Sequence, residues 1–328
     1  MKNLQIETLR GLACLLLVLY HVIGADASFG LRVDDGPVRW LNDGLAYLRM
    51  PLFTFLSGLV YGLRPFSGNS RAFLLGKVRR LLIPMLFVGT LFAALQASIP
   101  GTNSTVGPWY LLHVQPVAHF WFVESLFWVF LVIWALELSN LIRDAKGFLL
   151  AFVLACALYL TVRGWHWFGF EGAIYLMPYF LFGLAFSRFP LKPQLASPWV
   201  KLGLVALATV AIISMGMPVS NPDRRTVAML LVGMSLCALS LSFGMVVPWL
   251  ASIGRHSYAI YLFHVFFTAA VRIGLSRMHV KFMALDILLG LLIGVAGPIL
   301  IDRIASRFKW PALLLLGKTV KTSTPSAR

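Results

Sequence analysis

Apolar runs of about 17–22 residues, continuous rather than alternating, recur along nearly the whole chain. Lipid offers backbone N–H and C=O groups no partner, so a segment that crosses it must be a helix or part of a closed barrel. A barrel strand alternates apolar and polar positions over about ten residues. These runs do not alternate, and they have the length of a spanning helix. Of 328 residues, 59% are hydrophobic and 12% charged, more apolar material than a soluble domain of this size needs. The expected fold class is therefore all-α: a polytopic membrane protein, a bundle of about ten transmembrane helices. The spans fall near residues 9–25, 44–63, 80–98, 118–137, 148–163, 173–187, 199–217, 226–246, 257–274 and 283–302. Residues 1–304 then form one transmembrane domain, and 305–328 a basic cytoplasmic tail, disordered in part beyond Lys318.

The formal charge of +16 would suggest nucleic acid in a soluble protein. Here the basic residues sit in short loops between apolar spans, where they report topology, and no basic segment is long enough to read a groove. Arg64, Arg71, Lys77, Arg79 and Arg80 share one loop with no acid, so that loop is expected in the cytoplasm, with both termini. Arg188, Lys192, Lys201, Arg303, Arg307, Lys309, Lys318 and Lys321 fall on the same side. Between spans one and two, Asp26, Asp34, Asp35 and Asp43 outnumber Arg32 and Arg39, which suits the outside. One loop disagrees: Arg272, Arg277 and Lys281 fall outside between spans nine and ten. Either a span is miscounted or those charges are functional.

Cys14, Cys156 and Cys237 lie within apolar spans, spaced for neither metal nor disulfide, and are expected to pack as small hydrophobes. No metal site is expected. Ala25-Asp26-Ala27 has the form of a signal-peptidase site, but Glu7, Arg10 and His21 do not belong in a signal's apolar region, so cleavage is not expected.

The stretch Glu7–His21, ETLRGLACLLLVLYH, is the most unusual. Arg10 and His21 are eleven residues apart, about three helical turns and about 16 Å, and face the same way. Glu7 falls near that face. Arg10 thus sits at the inner edge of the membrane and His21 towards the outer side. An ionisable residue inside an apolar span marks a site by default; the alternative is an arginine that anchors the helix and a histidine at its wet end. Trp121 and Glu124 share a face of span four, and Glu124 is expected to meet a cation or a donor. Ser257, Tyr261 and His264 share a face of span nine, as substrate contacts or as bonds between helices. Trp109-Tyr110 and Trp165-His166-Trp167 fall in outer loops, where they mark the membrane interface or stack on sugars.

These segments together resemble the acyltransferase-3 family of membrane-bound acyltransferases, which O-acylate bacterial surface polysaccharides, exported glycans and some small molecules. Arg10, Gly11 and His21 resemble the first-helix motif. Pro51, Leu52, Phe53, Ser57 and Gly58 resemble the second-helix signature, with Thr54 where a second aromatic is common and Arg49 ahead of Met50-Pro51. Lys77–Pro84, His119–Leu126, Pro178–Arg188 and Ser257–Phe267 follow in the family's order, over residues 5–300. The chain ends soon after span ten, so the hydrolase-like domain that some members append is not expected.

The resemblance implies an integral O-acyltransferase of the bacterial inner membrane that takes acetyl from acetyl-CoA, as donor substrate rather than resident cofactor, to a sugar hydroxyl of a lipid-linked or exported polysaccharide. Such transfer needs a base for the hydroxyl and donors for the oxyanion. His21 suits the base role, since imidazole titrates near neutral pH. Arg10 is the family's partner for it, yet at about 16 Å it cannot hydrogen-bond His21 along a continuous helix; it would hold donor, or a polar group linking the two depths. Lys77, Arg79 and Arg80 suit the phosphates of coenzyme A, or serve topology alone. Trp121, Glu124, Tyr261 and His264 would contact substrate. Arg49 is a candidate partner at the depth of His21. A transporter or flippase lined by buried polar residues is the alternative, although proton-coupled ones more often carry mid-membrane carboxylates.

Overall fold

The first turn of a helix leaves amides free, and in several places the polar residue just ahead of the apolar run takes them. Asn3 accepts from the amides of Gln5 and Ile6, Asn69 from Ala72, Asp144 from Gly147 and Thr226 from Met229. The computed structural model describes residues 3–25, 29–100, 102–103, 106–214, 225–279 and 282–319. In chain order the helices are α1 (Leu4–Ile23), α2 (Pro37–Gly44), α3 (Ala46–Leu63), α4 (Ser70–Lys77), a π-helical turn (Val78–Leu82), α5 (Ile83–Ser98), α6 (Trp121–Leu138), α7 (Ala145–Thr161), α8 (Phe170–Arg188), α9 (Lys192–Leu195), α10 (Pro198–Ser214), α11 (Val227–Ser242), α12 (Pro248–Gly254), α13 (Ser257–Arg277), α14 (Met283–Ala305) and α15 (Lys309–Leu316). No strand occurs among the described residues.

Each expected span coincides with one apolar helix. Six are long and apolar enough to cross a membrane: α1, the rod Ser70–Ser98, Ala118–Leu138, α8, α13 and α14. Three shorter apolar helices, α7, α10 and α11, and α3 with its internal Pro51 occupy the remaining positions. The protein is an all-α, multi-pass membrane protein.

Two elements depart from expectation. Span three begins at Ser70, not near residue 80, because α4, the π-turn and α5 form one rod of 29 residues. Its charges do not break it: the Lys77 ammonium lies over the Phe130 ring, 3.3 Å from the centroid, with Phe73 at 5.0 Å, so the rings of α6 and α4 replace lost water. Beyond Ala305 the chain folds back as α15, and Lys318 Nζ donates to Asp302 Oδ1 at 2.5 Å. Asp26, Ala27, Lys281, Lys321 and the TSTPSAR end lie outside the described residues.

Backbones touch at two crossings. A Cβ on Gly58 would lie 1.9 Å from the Phe180 carbonyl oxygen, and one on Gly183 1.9 Å from that of Phe55, so α3 and α8 interlock through paired glycines. Gly11 and Gly254 do the same between α1 and α12, at 2.0 Å from Leu250 O and 1.9 Å from Glu7 O. Small residues permit such approach, and packing then supplies the association that lipid exclusion cannot. The glycine of the first-helix motif therefore has a structural reason: it seats α12 on α1.

Contacts fix the relative direction of the core helices. Cys14 Sγ lies 4.0 Å from Ser257 O, and the ring of His21 lies 4.7 Å from that of His264, so α13 runs parallel to α1. Tyr258 at the start of α13 donates from its hydroxyl to the Arg80 carbonyl. Arg10, the π-turn and the start of α13 therefore share one end of the bundle, and His21, Arg272 and Arg277 lie towards the other. Replacing Gly183 by Val overpacks the α3–α8 crossing and should cost about 1–3 kcal/mol. A lowered melting temperature of the purified protein in detergent is expected; an unchanged one contradicts the backbone contact.

Candidate active site

α1 ends at Gly24, whose φ of 101° turns the chain out of the helix. Its carbonyl is held twice by α2, from Arg39 Nη1 at 2.6 Å and Asn42 Nδ2 at 3.0 Å. Arg49 of α3 donates to Asn42 Oδ1 at 3.0 Å, and its guanidinium stacks 4.4 Å above the Tyr20 ring. Three buried polar side chains thus fix the last turn of α1, and with it the depth and direction of His21.

Around His21 the structure gathers two further histidines. His264 of α13 lies 4.7 Å away between ring centroids, and His119, in the 3₁₀ turn before α6, lies 5.8 Å away; His119 and His264 are 5.0 Å apart. Their backbone bonds assign the tautomers. His264 Nδ1 donates to the Ile260 and Tyr261 carbonyls at 2.8 and 2.9 Å, which leaves Nε2 a bare acceptor. His119 Nε2 donates to the Leu262 carbonyl at 3.3 Å, which leaves Nδ1 bare. Both bare nitrogens are buried without a hydrogen-bond partner. A buried orphan of this kind costs about 1–3 kcal/mol, and two side by side mark a place built for a hydroxyl or another donor.

Two cavities meet at these rings. A chamber of about 230 Å³ is bounded by His21, Arg49, His119, Trp121 and Tyr261. A larger slot of about 650 Å³ starts at His21 and His119 and runs between α5 and α13. Tyr261 does not point a free hydroxyl into the chamber, since it donates to the His119 carbonyl. Trp121 also borders a third, outer groove with Trp165, His166 and Glu171, where His166 Nδ1 lies 3.0 Å from Glu171 Oε2. Trp109 and Tyr110 are exposed and border none of these three cavities.

The other expected site residues fall in three places. Arg10 pairs with Glu7 at 3.2 Å, one end of the bundle away from His21, and α1 is unbroken between them. Arg79 is half-buried, with Nε unpartnered, and Arg80 is exposed; the π-turn that carries them is a rare helix form found often at functional sites. Lys77 lies over the Phe130 ring. Glu124 is buried against Gly169, and no hydrogen bond or ion pair reaches its carboxylate among the described residues. Among the described residues no cluster of His, Cys, Asp or Glu is arranged to hold a metal ion, and the three cysteines are unpaired thiols.

His119 is the residue that sequence reasoning passed over. It opens a segment already matched to the family, but at the edge of an apolar run it looks like an interfacial residue. Its importance depends on α13 being parallel to α1.

The family model described as "acyltransferase domain" matches residues 3–303. This chain belongs to the acyltransferase-3 family. It is accordingly a membrane acyltransferase, which sets the transporter alternative aside. No curated protein and no solved structure matches it.

For this acyltransferase, replacing His119 by Leu keeps the volume and removes the bare nitrogen. Transfer should fall about ten- to a hundredfold, the value of one hydrogen bond to a buried acceptor, while the melting temperature shifts little, because losing the bare nitrogen offsets losing the bond to the Leu262 carbonyl. Full activity in the variant, measured beside its melting curve, would exclude His119 from the site.

Proposed function

We propose that this acyltransferase moves an acetyl group from acetyl-CoA to a sugar hydroxyl of a lipid-linked or exported polysaccharide, in the bacterial inner membrane, with both termini in the cytoplasm. The observation that carries the reading is the cluster His21, His119 and His264, with two bare buried ring nitrogens, one helix length from a cationic end. The chemistry follows from what such a cluster can do.

His21 takes the proton of the acceptor hydroxyl as its oxygen attacks the thioester carbonyl carbon. The tetrahedral intermediate carries an oxyanion, for which the Arg49 guanidinium in the same chamber is the nearest cationic support. The C–S bond then breaks; the thiolate of coenzyme A leaves and recovers the proton from the His21 imidazolium, and an O-acetyl ester remains. His119 and His264 accept hydrogen bonds from the hydroxyl or from His21 and so hold the geometry. Trp121 and Tyr261 wall the chamber on the acceptor side, and Glu124 lies behind Trp121, one turn along α6, as a further polar group within reach of substrate.

The donor enters from the opposite end. Arg79 and Arg80 offer planar guanidinium forks to the phosphates, and Arg10 stands at the same end, beside the path that the pantetheine arm takes to His21. Lys77, on its aromatic seat, joins the phosphates only by leaving Phe130; otherwise it anchors the turn that presents the two arginines. Positive residues at that end agree with a cytoplasmic face, which is also where coenzyme A is found.

Two variants separate the tasks in purified protein with labelled acetyl-CoA. His21→Ala should keep donor binding and lose transfer about 10²- to 10⁴-fold, the range for a general base. Replacing Arg79 and Arg80 together by Ala should weaken donor binding at least about tenfold, as expected for lost charge-assisted bonds. Equal transfer by His21→Ala removes the base assignment; unchanged coenzyme A affinity reduces the arginines to topology signals.

A further inference from the structure

Arg79 and Arg80 leave their rod at its least regular point, the π-turn Val78–Leu82, where the Ile83 amide donates to the Val78 carbonyl. Such a turn puts one extra residue into an otherwise α-helical rod. Relaxing it to α-helix would rotate α4 against α5 by about 100°, the turn per residue of a helix, and would re-aim both arginines. Two contacts reach the backbone of this turn. Tyr258, in the first turn of α13, donates from its hydroxyl to the Arg80 carbonyl. Gly317, just past α15, lies so close that a Cβ there would be 2.4 Å from the Arg79 carbonyl oxygen and 2.7 Å from Arg80 Cα. Both contacts take backbone atoms and leave the guanidinium groups for a ligand.

Gly317 is placed by the return of the chain after α14. α15 packs beside α5 and α14, with Ala312 and Leu316 buried. It ends at Gly317, φ 60°, whose amide donates to the Leu313 carbonyl at 2.9 Å, the left-handed cap that glycine favours. The next residue is the tether. Lys318 Nζ lies 2.5 Å from Asp302 Oδ1 and donates to Ser306 Oγ at 3.1 Å. Asp302 is 5% exposed, and its other oxygen lies 2.5 Å from Nδ1 of His256, the residue before α13. One buried carboxylate therefore ties three segments: the end of α14, the start of α13 and the return after α15. Both contacts on the π-turn come from those segments, Tyr258 two residues after His256 and Gly317 one residue before Lys318.

We infer that His256, Asp302 and Lys318 are positioning residues of the donor site: their tie holds Tyr258 and Gly317 against the π-turn and so aims Arg79 and Arg80 at the phosphates of coenzyme A. This rests on the reading of those arginines as donor anchors. It extends that reading to Gly317 and Lys318, which lie beyond the residues that the family model matches.

The full chain in detergent, titrated with coenzyme A and assayed with labelled acetyl-CoA, tests the tie. Lys318→Met alone would leave a buried charge unpaired, which can cost the fold, so it is combined with Asp302→Asn. Coenzyme A affinity of this double variant should fall at least about fivefold, as the arginines lose part of their charge-assisted bonds. KM for acetyl-CoA should rise with it while kcat at saturating donor changes little, the pattern of lost uniform binding. Tyr258→Phe, which removes only the hydroxyl on Arg80, should act in the same direction, so the hold is tested even where the double variant is unstable. With Arg79 and Arg80 already replaced by Ala, neither change should cost further affinity, because both act through the arginines. Unchanged affinity in either variant, with the arginines still needed, overturns the tie and leaves the donor reading standing. A loss that adds in full to that of the arginine pair assigns the tie to general stability and overturns it too. Unchanged affinity on removing the arginines themselves removes the donor reading, and the tie with it.

Discussion

The double hold on the Gly24 carbonyl sets the position of everything that matters in this bundle. Arg39 and Asn42 end α1 at a fixed point, and Arg49 extends that network to the Tyr20 ring. At the other end, Gly11 and Gly254 bring α12 into backbone contact with α1. A helix clamped at both ends cannot slide, so the separation of Arg10 and His21 is as constant as the rise of an α-helix. The two ends can then carry different chemistry without interference: an ion pair with Glu7 at one, three imidazoles at the other.

The histidine cluster is costly in the way functional sites usually are. His119 and His264 each spend one nitrogen on backbone carbonyls and leave the other unpaired, although buried acceptors are nearly always satisfied. Nothing in the packing of α13 against α1 requires that. In the acyl-transfer reading, these two bare nitrogens are where the acceptor hydroxyl would donate. The rings of Phe92 and Tyr261 lie against His119, and apolar walls of this kind strengthen whatever hydrogen bond a ligand makes beside them.

Much of the architecture was legible in the sequence because lipid leaves few choices: each apolar run of helix length became a helix, in order. The incompatibility of a direct Arg10–His21 bond was legible too, since it needs only the helical rise. The start of span three was not, because Arg71, Lys77, Arg79 and Arg80 look like a loop until the aromatic seat of Lys77 is known, and that seat involves Phe130, more than fifty residues away. The π-turn has no composition of its own. His119 was hidden for a related reason: its partners come from α1 and α13, and only the parallel course of those helices makes three scattered histidines neighbours. Glu124 shows the converse. Its burial was legible, but among the described residues no hydrogen bond or ion pair reaches its carboxylate. The misplaced charges of Arg272 and Arg277 were visible as an anomaly, and the slot between α5 and α13 gives that anomaly a location.

The central claim is that one rigid helix connects a donor end and an acceptor end on opposite faces of the membrane. Cysteine accessibility tests it directly. In a background with Cys14, Cys156 and Cys237 replaced by Ala, Arg80→Cys and Met278→Cys are treated separately with an impermeant maleimide, in right-side-out and in inverted vesicles. The account predicts that position 80 reacts only in inverted vesicles and position 278 only in right-side-out ones. Labelling of both from the same side would contradict it.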